Sequence, residues 1–230
     1  MFKKRFKLFL LSIALPILVN AQWRIGVTGG ATYNLLSRDN HYMVDWHYEG
    51  AWGGTAGILG QYDFNEWFGL RSEFNWTTKS YRQYRTGLLK DNDYKTRNHY
   101  FQIPVMASFR FGPKKVKGFL TLGVYGGYWL TSNNSGSIGV MKVEGPNFVN
   151  TTQYGRWKNE FVDARDNRID YGLSGGFGVD WRISRLFSVI AETRCYYSMS
   201  SFQKDYMRIK DPRYNTTFTF QVGLCYHFKH

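Results

Sequence analysis

The sequence predicts an all-β protein, an eight-stranded antiparallel up-and-down transmembrane β-barrel. Three observations lead to this prediction: a basic and apolar N-terminal segment, repeated stretches with an apolar residue at every second position, and connections that alternate between short and long. Alternation of this kind is typical of strands whose two faces meet different media. After the N-terminal segment, no apolar stretch reaches the length of a membrane-spanning helix.

The N-terminal segment has the layout of an export signal. Four cations among residues 3–7 precede an apolar run over residues 8–19, and small or tolerated residues follow before Gln22. A spanning helix needs about 20 apolar residues, whereas this run has about 12. We therefore expect residues 1–21 to be a cleaved signal peptide and residues 22–230 to form one barrel domain.

Apolar alternation marks eight strands. In FTFQVGLCYHF, apolar residues from Phe218 to Phe228 alternate with Thr, Gln, Gly, Cys and His. In nearly all of the strands, the opposite row consists of Gly, Ser, Thr or charged residues, which suits a polar lumen. The predicted strands cover residues 23–36, 52–64, 67–81, 98–111, 117–131, 169–183, 186–198 and 214–228.

The connections between these strands alternate in length. Short turns at one rim, long loops at the other and both termini on the short-turn side are typical of an outer-membrane barrel. The barrel must close, because lipid cannot satisfy the hydrogen-bonding groups of an open sheet edge. The short turns are 65–66, 112–116 and 184–185, and the long connections are 37–51, 82–97, 132–168 and 199–213.

Aromatic residues at both ends of the apolar rows predict two interfacial girdles. A soluble ligand-binding barrel would carry aliphatic residues inside and polar residues outside, and the second row here is too charged for a dry ligand cup. We therefore expect the apolar rows to face lipid. The girdle residues are Phe64, Phe68, Trp181, Phe187, Tyr226 and Phe228 near the short turns, and Tyr33, Trp76, Phe101, Tyr128, Tyr171 and Tyr197 near the long loops.

Three sequence features carry a resemblance to a known family. They are the AQ cleavage site, the strand YFQIPVMASFRF with its Ile103-Pro104 pair, and the glycine-rich strand DYGLSGGFGVDWRIS. With them the mature chain resembles the PorT-like outer-membrane barrel proteins common in Bacteroidetes. The resemblance implies an eight-stranded barrel in the outer membrane, and the namesake of the family is associated with a gliding and protein-secretion apparatus. One departure from outer-membrane barrels at large is that Lys229 and His230 follow Phe228.

Five polar residues at middle depth on the inward rows form the main candidate cluster. Arg71 and Glu73 lie on the third predicted strand, Glu192 and Arg194 on the seventh, and Gln221 on the eighth. The third and seventh strands of an eight-stranded barrel face each other across a lumen that has room for side chains and little else. Buried charges must be paired. We expect a structural plug of paired charges, with a gate or proton path as the functional alternative.

The long polar connections are the candidate partner surfaces. In the 132–168 loop, Tyr154, Trp157 and Phe161 form the best candidate binding surface, because loops of this length are usually functional or disordered. Cations in the 82–97 and 199–213 loops would lie beside the phosphates of outer-membrane lipid and lipopolysaccharide.

The basic net charge does not indicate nucleic acid. Removing the signal takes away four of the 30 basic residues and no acidic one, which leaves 26 against 17 and a net charge of +9. An exported barrel does not meet nucleic acid in its normal work.

Catalysis is the third alternative, because a deacylase and a palmitoyltransferase that modify lipid A also use eight-stranded barrels. A hydrolase needs a nucleophile beside a His that an acid orients. Of five His, only His99 is predicted near the lipid headgroups, with Ser80 as a neighbour, and no Gly-x-Ser-x-Gly elbow accompanies it. No cluster has metal-ligand spacing and no cofactor motif is present. We expect no catalytic residues, metal or cofactor.

The two cysteines are expected to stay apart. Cys195 would face lipid opposite residue 219, whereas Cys225 would face the lumen, so no disulfide is predicted. In function, we expect a monomeric, non-enzymatic outer-membrane barrel that acts as a scaffold or as a component of an envelope or secretion assembly. A small channel or uptake barrel is the alternative.

Overall fold

The computed structural model describes residues 22–38, 45–87, 90–144, 147–204 and 212–228. The predicted signal peptide, residues 1–21, lies outside these ranges, so its cleavage stays a prediction. In the described ranges, the chain forms nine strands in one antiparallel sheet. Their bounds are β1 (Gln22–Arg38), β2 (Trp46–Asp63), β3 (Phe68–Arg85), β4 (Asp93–Phe111), β5 (Val116–Glu144), β6 (Asn147–Lys158), β7 (Ile169–Arg182), β8 (Phe187–Ser198) and β9 (Arg213–His227).

Eight of these strands close into a ring. The sheet order is β4-β3-β2-β1-β9-β8-β7-β5-β6, and pairing between β4 and β5 completes the circle. The predicted eight-stranded up-and-down barrel is therefore confirmed. β6 stands outside the ring and pairs with the upper part of β5, from Asn133 opposite Lys158 to Glu144 opposite Asn147.

The strands extend further toward the long-loop end than predicted. β2 begins at Trp46, β3 continues to Arg85, β4 begins at Asp93 and β5 runs to Glu144. The prediction that 132–168 is one loop is therefore wrong, because two strands occupy most of it. These extensions carry polar residues on both faces, so they lack the apolar alternation from which the strands were predicted, although their backbones pair in the same way.

A belt of large apolar side chains covers the outside of the ring. Val27, Ile58, Leu122, Phe177 and Val222 are each 58–63% exposed, although they lie in the middle of paired strands. Large apolar surfaces of this extent are typical of contact with lipid. Among the described residues, no helix is both long and apolar enough to cross a membrane.

The inward side chains fill the barrel. Leu59, Phe119, Ile190 and Cys225 form a small apolar cluster inside, and each is at most 3% exposed. A Cβ atom on Gly178 would lie 2.6 Å from Cζ of Phe119, so a glycine at this position leaves room for the ring. Most other inward side chains are polar or charged.

The register between β8 and β9 differs by one residue from the prediction. Cys195 pairs with Phe218, whereas position 219 was expected. The conclusion about the cysteines is unaffected: Cys195 is half-buried on the outer wall, Cys225 is buried in the lumen, and both are free.

We expect the two thiols to differ sharply in reactivity. In the folded barrel, a maleimide reagent should modify Cys195 and leave Cys225 unmodified, because the latter is only 1% exposed. Unfolding in denaturant should expose both thiols to the reagent, and intact-protein mass counts the adducts. Equal labelling of the two cysteines in the folded barrel would contradict the inward placement of Cys225.

Candidate functional site

The five predicted lumen residues meet in one cluster, which we call the central network: Arg71, Glu73, Glu192, Arg194 and Gln221. Arg194 donates from Nη1 and Nη2 to the two oxygens of Glu73, at 2.9 and 2.8 Å, and from Nη2 to Glu192 Oε1 at 2.9 Å. Arg71 Nη1 donates to Glu192 Oε2 at 2.8 Å, and Gln221 donates to the same oxygen at 3.3 Å. All five residues are at most 4% exposed to solvent.

Neighbouring polar groups complete the hydrogen bonding of the central network. Asn75 donates to Glu73 Oε2 at 2.9 Å, and Thr121 donates to Glu192 Oε1 at 3.0 Å. Arg71 Nε donates to Gln61 Oε1 at 2.9 Å, and Arg194 Nη1 donates to the Tyr196 hydroxyl at 2.7 Å. Two cations face two anions and every carboxylate oxygen accepts at least one hydrogen bond. A buried cluster with this balance avoids the cost of an unpaired charge.

A second ionic layer, which the sequence analysis missed, lies toward the short-turn end. Arg24 contacts Asp63 Oδ2 through Nε at 2.8 Å and Asp180 Oδ2 through Nη1 at 2.5 Å. Arg110 Nη2 lies 3.0 Å from Asp63 Oδ1, which also accepts a hydrogen bond from Gln61 at 2.7 Å. This layer connects β1, β2, β4 and β7 across the lumen.

A third ionic layer lies on the long-loop side of the central network. The sequence analysis did not predict this layer either. The Lys79 ammonium lies 2.5 Å from Asp170 Oδ2, and Asp170 Oδ1 accepts hydrogen bonds from Ser198 at 2.6 Å and Ser200 at 3.1 Å. The same ammonium lies 4.9 Å from the centre of the Tyr100 ring. Lys79 is fully buried, so its charge depends on Asp170 and the surrounding rings.

An aromatic lid covers the third layer. Trp129 stacks with Tyr100 at 5.9 Å and meets the edges of Phe161 at 4.8 Å and Phe202 at 5.6 Å between ring centres. Leu36 packs against the same cluster. A register shift between His99 and Tyr100 brings Tyr100 opposite Trp129, with both rings inside the barrel.

The three aromatic residues of the predicted loop surface do not act together. Phe161 belongs to the lid, while Trp157 packs against Tyr94 at 5.2 Å. Tyr154 lies on β6, three residues from Trp157 and therefore on the opposite face of the strand, and it is 80% exposed. The three rings therefore do not share one surface, and Tyr154 is the most exposed of the three.

Histidine does not form a catalytic triad in the described residues. His99 Nδ1 lies 3.1 Å from the Thr78 hydroxyl, and in the strand pairing Thr78 lies opposite His99 while Ser80 lies opposite Arg97. Ser188 lies 2.9 Å from His227 Nε2 inside the lumen, but His227 Nδ1 faces Arg182 at 3.2 Å. A triad needs a carboxylate at that nitrogen.

Metal-ligand clusters are equally lacking in the part of the chain that the structure describes. No group of three or more His, Cys, Asp or Glu side chains there could hold an ion.

Ion pairing continues on the strand extensions, where it is exposed to solvent. Arg82 binds Asp93 with contacts of 2.8 and 2.5 Å and reaches Glu49 at 3.3 Å. The hydrogen bonds from Arg82 hold the pKa of the Asp93 carboxyl below its usual value and raise the pKa of the guanidinium. Both side chains are more than a third exposed, so this pair contributes less stability than a pair inside the lumen.

Several solved structures of outer-membrane proteins are similar to this chain. OprG of Pseudomonas aeruginosa is 11% identical, and the alignment covers 92% of this chain and 98% of that one with a TM-score of 0.52. Neisserial surface protein A is 16% identical over 89% and 97% of the two chains with a TM-score of 0.45. Ail of Yersinia pestis is 14% identical over 90% and 99% with a TM-score of 0.42. At this identity, the likeness to OprG shows the fold alone.

The family follows from the sequence itself. Among curated proteins, none matches the chain. A family model described as outer membrane protein beta-barrel domain matches residues 19–204, which is most of the chain. Together with the closed ring and the lipid-facing belt, this match places the protein in the outer membrane, with the short turns periplasmic and the strand extensions extracellular. The chain belongs to the outer membrane protein beta-barrel domain family.

Proposed function

We propose that the protein is a non-enzymatic, monomeric outer-membrane scaffold that takes part in an envelope or secretion assembly. The observation that carries this proposal is the filling of the lumen at four successive levels: the Arg24 layer, the central network, the Lys79–Asp170 layer and the aromatic lid. Because these side chains meet across the barrel axis, they leave little open space through which ions could pass. The PorT-like resemblance points to the same kind of role, through the secretion apparatus with which its namesake is associated.

The extracellular arm, formed by β5 from Asn133 onward and by β6, supplies a surface for a protein partner. In the described sheet, β6 pairs with β5 alone, so its other edge is open. Tyr154 and Arg156 are exposed on this strand. An open edge with exposed aromatic and basic side chains is suited to main-chain pairing with an extended segment of another protein.

The first test is electrical. In planar bilayers, the purified barrel should give no large, long-lived conductance, because the four levels occlude the axis. Folding is checked on the same sample by faster migration of the unboiled protein in a gel. Steady conductance by correctly folded protein would replace the scaffold proposal with the channel.

The second test looks for the partner. A photo-crosslinking residue at Tyr154 should yield a discrete protein adduct in native envelopes. The same residue at Val222, which is 62% exposed on the lipid-facing belt, serves as the control. Adducts of the same protein from both positions, or from neither, would contradict a specific contact on the arm.

A small channel or proton path is the second candidate, and unpartnered polar atoms in the wall favour it. Both amide atoms of Gln102 and the hydroxyl of Ser174 are buried without a protein hydrogen-bond partner. Buried polar groups of this kind usually bind water. Internal water along β4 and β7 would offer a narrow path beside the ion pairs, which the bilayer measurement tests directly.

A further inference from the structure

We propose that the outer wall of β3, β4 and β5 carries a binding site for the phosphate of a lipopolysaccharide molecule. The site, called the outer cation patch below, consists of Lys95, Arg97 and His99 on β4, Ser80 on β3 and Asn133 on β5. The inference uses the outer-membrane placement of the barrel and is independent of whether the barrel is a scaffold or a channel.

Register places these side chains together on the outside. Lys95, Arg97 and His99 occupy alternate positions of β4 in the same row as the lipid-facing Phe101. Arg97 pairs with Ser80 on one side and with Asn133 on the other. Directly paired side chains on one face lie about 5 Å apart at Cβ.

The height of the patch matches that of lipid headgroups. The His99 ring stacks on Trp76 of the extracellular girdle, with centres 5.2 Å apart. The Lys95 ammonium donates to the main-chain carbonyl of Trp52 at 2.8 Å, so the side chain crosses the outer face of β3 toward β2. Girdle aromatics lie at the boundary between the acyl chains and the headgroups, so both side chains border the phosphate layer.

The two cations of the patch are not neutralised by the protein. The neighbouring Arg82 forms ion pairs with both nearby carboxylates, Asp93 and Glu49. Within the described residues, no carboxylate lies within ion-pair distance of Lys95 or Arg97. Lys95 and Arg97 lie two residues apart on the same face of β4, so their charges repel each other. Burial and the nearby Arg97 charge accordingly lower the pKa of Lys95. An anion bound between them would remove this repulsion.

Ser80 adds an independent feature. Ser80 is fully buried under the patch, and its hydroxyl has no hydrogen-bond partner in the protein. A buried hydroxyl without a partner is costly, whereas a phosphate oxygen accepts hydrogen bonds from hydroxyl, guanidinium and ammonium groups alike. The patch therefore combines two cations that have no carboxylate partner in the described residues with an unused donor, at the level where lipid phosphates lie. Because it is on the extracellular side, the phosphate is that of the outer leaflet.

The test is binding of purified lipid A to the folded full-length mature barrel in detergent, measured by native mass spectrometry. The probes are lipid A with two phosphates, lipid A with its phosphates removed, and inorganic phosphate. The test variant is Lys95→Gln/Arg97→Gln. The matched control is Arg156→Gln/Lys158→Gln, which removes the same charge from two exposed residues of β6.

We expect the test variant to lose affinity for bisphosphorylated lipid A by about tenfold or more, as for the loss of charge-assisted hydrogen bonds. The control variant should bind as the wild type does, and dephosphorylated lipid A should bind weakly to all three proteins. The proposal is overturned if the two variants lose affinity equally, if the test variant loses none, or if removing the phosphates makes no difference. Tight binding of inorganic phosphate would also overturn it, because the site would then serve a soluble anion.

Discussion

Replacing Arg194 by methionine is expected to destabilise the barrel by about 3–5 kcal/mol, the range for breaking a buried ion pair. Arg194 is the only side chain that contacts both carboxylates of the central network at 2.9 Å or less among the described residues. Its removal leaves the buried Glu73 carboxylate with Asn75 and a distant Arg71, at 3.9 Å. The free energy of unfolding is measured by urea titration in lipid vesicles, with tryptophan fluorescence as the signal.

The double variant Glu192→Gln/Arg194→Met distinguishes pairing from simple packing. It removes one cation and one anion together, so the remaining Arg71 and Glu73 are still balanced. We therefore expect it to cost less than the sum of the two single variants. Costs that simply add would mean that the side chains contribute through volume and not through charge. If the single variants alter ion selectivity while leaving stability unchanged, the network lines a water-filled path.

Replacing Lys79 by methionine should cost about 3 kcal/mol, although it removes only one direct ion pair. The Asp170 carboxylate would keep its hydrogen bonds from Ser198 and Ser200 but would lose its only cation among the described residues. The same urea titration provides the measurement. Restoring balance with Lys79→Met/Asp170→Asn should recover part of the loss.

The exposed pair between Arg82 and Asp93 is the control for this prediction. Its shortest contact is also 2.5 Å, but its side chains are 48% and 38% exposed, compared with 0% and 7% for Lys79 and Asp170. We expect Arg82→Gln to cost less than about 1 kcal/mol, because solvent screens the pair. Equal costs for Lys79→Met and Arg82→Gln would show that water enters the lumen at the level of Lys79.

The alternation of apolar residues was enough to predict the ring, because lipid requires an apolar outer row and a narrow lumen requires a polar inner one. The central network was predictable for a related reason. Arg71 and Glu192 lie on opposite strands at the same depth in the barrel. Counting residues from the short turns was therefore enough to predict that their side chains meet. The strand extensions were missed because water imposes no such alternation on either face.

The other ionic layers could not be predicted in the same way. Arg24 meets Asp180 across the lumen although their strands, β1 and β7, are neither adjacent nor opposite in the ring. Such a contact depends on strand tilt and on the reach of the arginine side chain, neither of which the sequence pattern reveals. The inward position of Trp129 in the lid was not predicted either. It depends on a register shift, which the pattern of apolar residues does not indicate.

The pairing between β1 and β9 has a consequence for how the protein reaches its folded state. Arg24 pairs with His227, so the contacts that close the ring join two of the most distant segments of the described chain. Contacts between segments far apart in sequence form slowly, because a long loop must close before they contribute any stability. Until β9 is in place, β1 has an unpaired edge that could join a strand of another molecule. A factor that occupies the edge of β1 until β9 arrives would therefore protect the unfinished barrel from pairing with another chain.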